Sequence, residues 1–313
     1  MAPLGVLVLA LGLDTALGDP PNRVHPVAWM GGALAAGRRL LCAGSPARLL
    51  VSGAAVVAIV AGGAAAAGWV VERATGRLGI AGFALQALVL STMLAFRSLV
   101  AAAGGVRDAL ERGDLEMARG SVARHLVSRP TAALGPAHVA SAAVESVAEN
   151  LTDSLVAPVC FYLAFGLPGA FFYRAVNTAD AMLGYREGPL EHFGKAAARL
   201  DDLLNLLPAR LAALAIVAAA ALTGEDARNA WRTLRRDARG TASPNAGWTM
   251  AAMAGALGVV LEKPATYRLG GGREPAAIDI GRATRVMAVA AMLAIALMSA
   301  VWLLLYRYAT AIT

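Results

Sequence analysis

Apolar residues run without a charge over three long stretches, 49–71, 78–96 and 286–306, of 23, 19 and 21 residues. A helix of about 20 apolar residues crosses the hydrocarbon of a bilayer, so each stretch is predicted to be a transmembrane helix. Three more stretches are apolar but interrupted. Residues 154–173 contain Pro158 and Pro168, which kink or end a helix. Residues 203–224 contain Pro208 and Arg210, and residues 240–261 open on Ser243-Pro244-Asn245 and are rich in Gly and Met. Broken helices at membrane depth are tolerated where protein or a wet cavity surrounds them. These three are therefore expected to shape a site, with plain crossing as the alternative. Residues 1–13 are apolar but lack the basic flank of a cleaved signal peptide, and are expected to remain as a membrane-embedded N-terminal helix. The expected fold is all-α: one domain over residues 1–313, a polytopic membrane bundle with broken or re-entrant helices and helical cytoplasmic loops.

Between the spans, residues 97–149 mix acids and Arg with apolar positions at helical spacing and read as soluble helix, an insert over about 97–150. From Pro136 on, the pattern suits a helix running into the membrane. Charged residues make up 16% of the chain, against roughly 25% in a soluble domain, and 58% are hydrophobic. That balance excludes a water-soluble globule and a disordered chain. The net charge of +7 is carried mainly by Arg in two connections, Arg107, Arg112, Arg119, Arg124 and Arg129 in one and Arg228, Arg232, Arg235, Arg236 and Arg239 in another (about 224–245). Positive connections stay on the cytoplasmic side, and no basic stripe with interleaved aromatics suggests nucleic acid. Cys42 and Cys160 read as reduced, buried thiols, with a bridge as the alternative.

Candidate chemistry lies in polar residues that interrupt apolar sequence. Glu145, Glu149 and Asp153 follow each other at intervals of four, so on a continuous helix their carboxylates share one face beside Asn150. Like charges so placed repel and call for a partner, which is a divalent cation, an Arg or a substrate amine; the competing reading is a solvated acidic face. A second cluster is Asn177-Thr178-Ala179-Asp180 with Tyr185-Arg186. A third is Arg199-Leu200-Asp201-Asp202-Leu203-Leu204-Asn205 with Arg210 beyond it. Paired acids with a carboxamide suit a metal–phosphate group, and Arg suits a two-pronged grip on phosphate or carboxylate. Near the N-terminus, a proline-stiffened loop offers Asp19, Asn22, Arg23 and His25. His125, His138 and His192 have no paired metal spacing, and no P-loop or nucleophile elbow is present.

Taken together, these residues are familiar. Gly18-Asp19-Pro20-Pro21-Asn22 with His25-Pro26-Val27, Val144-Glu145-Ser146-Val147-Ala148-Glu149-Asn150, and Ala175-Val176-Asn177-Thr178-Ala179-Asp180 resemble the CobD/CbiB family of cobalamin biosynthesis. Gly184-Tyr185-Arg186, Ala197 through Asn205, Pro208-Ala209-Arg210, Ser243 through Trp248 and Glu262-Lys263-Pro264 extend the resemblance over nearly the whole chain. Two positions depart from the family pattern: Pro130, where an acid often follows the arginine, and Lys195, where a Trp often stands. Both are left out of the expected site.

The resemblance implies a polytopic inner-membrane enzyme, adenosylcobinamide-phosphate synthase, with its active-site loops cytoplasmic. It implies amide ligation of (R)-1-amino-2-propanol or its O-phosphate to a propionate carboxylate of adenosylcobyric acid, dependent on ATP and Mg²⁺. On that reading Glu145, Glu149, Asp153, Asp201 and Asp202 hold the metal. Asp180, His25 and Glu149 are catalytic, with Asp180 or His25 taking the ammonium proton. Asp19, Asn22, Asn150, Asn177, Tyr185, Arg186, Arg199, Asn205, Arg210, Ser243 and Asn245 bind substrate or phosphate. Trp29, Tyr173, Trp231 and Trp248 offer flat contacts for a macrocycle, or are ordinary interface aromatics. Besides these substrates and the lipid bilayer, other corrinoid-pathway enzymes and further copies of the chain are expected partners. The alternatives are a corrinoid-binding membrane scaffold or transporter and a Mg²⁺-dependent intramembrane prenyltransferase. The latter calls for a duplicated Asp-x-x-x-Asp motif that the sequence lacks.

Overall fold

The computed structural model describes residues 2–127 and 130–312; Arg129 of the first Arg-rich connection lies outside them. In chain order the helices are α1 (Ala2–Leu17), α2 (Pro26–Leu41), α3 (Pro46–Thr75), α4 (Gly79–Ser91), α5 (Phe96–Glu111), α6 (Leu115–His125) and α7 (Pro136–Leu151). A π-helical turn, Thr152–Val156, leads into α8 (Ala157–Leu183), then α9 (Leu190–Phe193), α10 (Lys195–Leu204), α11 (Leu206–Leu222), α12 (Ala227–Asp237) and α13 (Ala246–Leu257). A small antiparallel hairpin, β1 (Val260–Lys263) and β2 (Tyr267–Gly270), precedes the long α14 (Ala277–Ile312).

Local chemistry sets many of these ends. His25 accepts the Val27 N–H ahead of Pro26 at the first position of α2, and Ser45 accepts the Arg48 N–H ahead of Pro46 in α3. Asp114 and Asp226 cap α6 and α12 in the same way. Gly258 closes α13 with φ 67°, a left-handed turn that costs glycine nothing.

Four helical stretches are long and apolar enough to cross a membrane: Pro46–Thr75, Gly79–Glu111, Pro136–Leu183 and Ala277–Ala311. Lys195–Leu204 with Leu206–Leu222 makes a fifth if that broken pair is one span. The protein is a polytopic helical membrane protein; the runs at 49–71 and 286–306 fall inside α3 and α14, whereas the run at 78–96 covers α4 and the turn at 92–95 that breaks it from α5. Residues 240–261 differ from the crossing alternative. Their helix α13 has 12 residues, about 18 Å against the ~30 Å of hydrocarbon, because the Ser243–Asn245 turn and Gly258 bound it on both sides. From Pro136 on the chain is part of the apolar stretch Pro136–Leu183, as expected of a helix running into the membrane, and Val139 to Ala148 in α7 are buried throughout.

The chain divides into two compact units, Met1–Ala95 with Ala157–Asn205, and Phe96–Val156 with Leu206–Thr313. In the first, α3 packs along α8, α2 rests on both, and α1 lies on α4. Leu34, Val56, Val57, Leu183, Phe193 and Ala197 form a core beneath α9 and α10. In the second, α7 lies in the core, packed by α5, α13, α14 and the hairpin, with α11 on α13 and α14. The arginines of α12 stand exposed while Ala230, Thr233 and Leu234 on its other face are buried, a division set by helical periodicity.

Within α8 the helix breaks at Gly166 (φ 68°, ψ −157°), two residues before Pro168. The break predicted from Pro168 is present, while Pro158 sits just after the π-turn. Cys42 and Cys160 are free, and half-buried rather than fully buried.

Candidate functional site

The buried carboxylate of Asp201 sits at the centre of a polar network in the first unit. Asn177 Nδ2 donates to its Oδ1 at 3.3 Å and Asn205 Nδ2 to its Oδ2 at 3.0 Å. Tyr173 Oη donates to Asn205 Oδ1 at 2.9 Å, and Arg174 Nη1 donates to Asn177 Oδ1 at 3.4 Å. Asp201 and Asn205 meet because α10 places them four residues apart; Tyr173 and Asn177 stand four apart on α8 and face them. Three predicted residues from two clusters thus converge, with Tyr173 and Arg174 completing the chain.

One residue further along α10, Asp202 faces a cavity of about 210 Å³. Its walls are Gly184, Tyr185, Arg186, Leu190, Glu191, Gly194, Lys195, Ala198, Arg199 and Asp202. Three cations against two carboxylates make it a polar hollow suited to an anion. Lys195 Nζ stands 3.6 Å from Glu191 Oε1. Tight glycine contacts build it: a methyl on Gly194 would come within 3.0 Å of the Leu183 carbonyl, and one on Gly53 within 3.0 Å of the Phe193 carbonyl. Asp180 lies against Gly184 in the same sense, which sets its carboxylate beside the Gly184–Arg186 turn. Of the expected residues, Tyr185, Arg186, Arg199 and Asp202 line this hollow. Lys195, one of the two departures from the family pattern, and Glu191 line it as well; their spacing of four residues is the only sequence signal that pairs them.

In the N-terminal loop, His25 Nδ1 accepts the Val27 N–H at 3.2 Å, so the ring proton lies on Nε2, which points at Asp19 Oδ1 at 3.4 Å. The imidazole orients Asp19 and has its Nδ1 lone pair engaged. Asn22 is exposed, with its carbonyl accepting the His25 N–H. Trp29 closes the same loop through Nε1 to the Arg23 carbonyl at 3.0 Å.

The second unit places the remaining expected residues. Glu145 is buried and accepts Ser141 Oγ at 2.6 Å and Tyr267 Oη at 2.7 Å, while Ser141 Oγ receives the Glu262 N–H. These bonds fasten the hairpin to α7. Tyr267→Phe is expected to cost about 1–3 kcal/mol, because a buried carboxylate loses a donor. Thermal unfolding in detergent measures this, and an unchanged midpoint would refute it. Asn150 bonds Ser146 and Ser154, and Asp153 falls in the π-turn rather than on α7. The single continuous helix behind the expected three-carboxylate face is therefore interrupted after Glu149, since a π-turn winds more than the α-helical 3.6 residues per turn. Glu149, Asn150 and Asp153 are all half-buried.

Arg210 directs Nη1 to Asn245 Oδ1 at 2.5 Å and Nη2 to the Pro244 carbonyl at 3.2 Å, with its guanidinium 4.5 Å from the Trp248 ring. Ser243 Oγ receives the Asn245 N–H at 3.2 Å. Arg210, Ser243 and Asn245 thus form one assembly with Trp248, whereas Trp231 is exposed on α12. Asp237, at the end of α12, accepts Arg236 and the Gly270 N–H. The Arg236 guanidinium chiefly holds its carboxyl below the usual range, outweighing partial burial. This tie is complete above the ordinary carboxylate range and is lost as pH falls through the lowered value. Asp279, fully buried, is held by Arg273, Arg282 and the Ala276 N–H, and Arg282 also pairs with Glu225. No sequence motif marked this network, whose partners come together only by folding.

Among the described residues no group of three or more His, Cys, Asp and Glu side chains is gathered as a metal centre. Mg²⁺ needs only one or two protein carboxylates when phosphate oxygens and water complete its shell; the carboxylates that line the hollow are Asp202 and Glu191, the latter beside Lys195.

The family model described as "CobD/Cbib protein" matches residues 7–298. The chain is 42% identical over 270 residues to the "Probable cobalamin biosynthesis protein CobD" of Methanothermobacter thermautotrophicus, covering 86% of this chain and 88% of that one. It is 41% identical over 271 residues to the "Cobalamin biosynthesis protein CobD" of Dehalococcoides mccartyi, covering 86% and 87%. It is 39% identical over 297 residues to that of Klebsiella pneumoniae, covering 91% and 93%. No solved structure matches it significantly.

Proposed function

The chain belongs to the CobD/Cbib family, whose named members act in cobalamin biosynthesis, and from that premise we propose that it is the amide-forming ligase of the pathway. It joins the amine of (R)-1-amino-2-propanol or its O-phosphate to a propionate carboxylate of adenosylcobyric acid, using ATP and Mg²⁺. The observation that supports this most is the cationic hollow of Arg186, Lys195 and Arg199 beside Asp180 and the Asp201 network.

A free carboxylate and an ammonium do not condense in water, so the carboxylate takes the γ-phosphoryl group of ATP and ADP leaves. The amine then attacks the acyl carbon, the C–N bond forms and phosphate departs. In this scheme Arg186, Lys195 and Arg199 grip a phosphate in the hollow. Asp180, beside it, accepts the ammonium proton that must leave before attack. Asp201, held by Asn177 and Asn205, keeps α8 and α10 in register so that Asp180 and Asp202 present themselves together. His25 holds Asp19 in place instead of taking the proton itself. Asp202 and Glu191 would hold Mg²⁺, which when bound neutralises phosphate charge. We place the protein in the cell membrane with the exposed Arg face of α12 towards the cytoplasm, in accord with the positive-inside tendency.

Purified protein in lipid nanodiscs, given adenosylcobyric acid, the phosphorylated amine, ATP and Mg²⁺, is expected to release one ADP per amide formed. Asp202→Asn is expected to shift the Mg²⁺ requirement to higher concentration. Corrinoid binding without ADP release would replace this reading with the scaffold or transporter one.

A further inference from the structure

Glu72 is an acid near the end of the apolar helix α3, and no step proposed above uses it. Ionisable groups in spanning helices are costly and are retained for a purpose. Its Oε2 accepts the Leu167 N–H at 2.7 Å, at the break in α8. Residues 168–183 continue as helix from that point with Pro168 in their first turn, so Leu167 offers an N–H that no preceding turn can satisfy. A carboxylate there is an N-cap supplied by a neighbouring helix, in the sign that the helix dipole favours. The approach is close: a methyl on Gly166 would stand within 3.0 Å of that same oxygen, and one on Gly68 would meet the Leu167 carbonyl.

The capped segment carries Tyr173, Asn177 and Asp180, spaced by four and three residues and so on one face. Asp180 lies about 18 Å along the helix from the cap, at 1.5 Å per residue. A tilt of about 2° at the break therefore moves it by about 0.6 Å, and since misplacement of about 1 Å at a reacting group costs on the order of 100-fold in rate, such a tilt costs about 10-fold.

We infer that Glu72 is a positioning residue, which by capping residues 168–183 from α3 sets where Tyr173, Asn177 and Asp180 stand. For its catalytic consequence this rests on the ligase reading. Steady-state ligation in nanodiscs tests that consequence. Glu72→Ala is expected to lower kcat about 10-fold and raise KM for the amine. Glu72→Gln, which keeps an acceptor oxygen, is expected to stay within about threefold of the parent. Gly166→Ala is expected to reproduce the alanine phenotype, and the double variant to be no worse than either alone, because both act on one contact. Hydrogen–deuterium exchange of 168–183, expected to be faster in Glu72→Ala while α13 is unchanged, reads the cap without activity. If the parent makes no amide, the ligase reading fails and exchange alone decides the cap. Unchanged exchange, or parental kcat and KM in Glu72→Ala, overturns the inference.

Discussion

Arg199→Ala is expected to lower kcat/KM for ligation of the phosphorylated amine by a factor of about 10 to 150. A charge-assisted hydrogen bond contributes about 1.5–3 kcal/mol, and 1.4 kcal/mol is about tenfold. Arg186→Ala should act alike, and the pair together by about 10³-fold if each holds a separate oxygen. Three cations line the hollow, so removing one leaves the fold intact and weakens one anchor. The decisive comparison is between the two amines. A phosphate grip predicts that the loss falls on the phosphorylated amine and nearly vanishes on free aminopropanol. An equal loss on both would show that these cations touch something other than the amine's phosphate. Lys195→Ala belongs in the same series, and its effect should be smaller because Glu191 already shares its charge.

Gly194→Ala is expected to have the largest effect on folding: at least about 3 kcal/mol, the upper end of overpacking costs, with loss of the hollow. The backbone at Gly194 is helical, φ −81° and ψ −6°, so alanine is conformationally welcome there. Space is what it lacks. The new methyl would stand within 3.0 Å of the Leu183 carbonyl, and that carbonyl ends a helix buried against the Phe193 core. The contrasting control is Gly188→Ala in the same loop region. There φ is +51° but nothing lies within 4 Å of the added carbon, so only backbone strain of about 1–2 kcal/mol is expected. Thermal unfolding in detergent ranks the two. If Gly188→Ala proves the more damaging, close packing is not what shapes this corner.

Fold class was legible because hydrocarbon imposes a length and a composition on any segment that crosses it; the runs at 49–71 and 286–306 lie inside α3 and α14 with little to add. The Pro168 break was legible for a similar reason, since a missing N–H acts locally. The acidic stripe was less so. Its periodicity holds for Glu145 and Glu149, but the π-turn at Thr152–Val156 carries Asp153 out of step, and nothing in residue spacing announces a π-turn. Within the third cluster, adjacent Asp201 and Asp202 looked like one pair of ligands. Successive helical positions diverge by about 100°, so Asp201 is held by two carboxamides while Asp202 faces the hollow.

The sequence by itself determined what is local or averaged: a helical membrane protein, the break at Pro168, and which short segments carry polar residues amid apolar ones. Only the tertiary structure decided partnership. Glu72 reaches Leu167 across 95 residues and Glu145 reaches Tyr267 across 122, and Lys195 joins a hollow because two glycines let α9 sink between its neighbours. The physical reason is range. Propensity, capping and hydropathy act within a turn or two of chain, whereas a carboxylate's hydrogen-bond donors are chosen by packing, which brings together residues that share no pattern in the sequence.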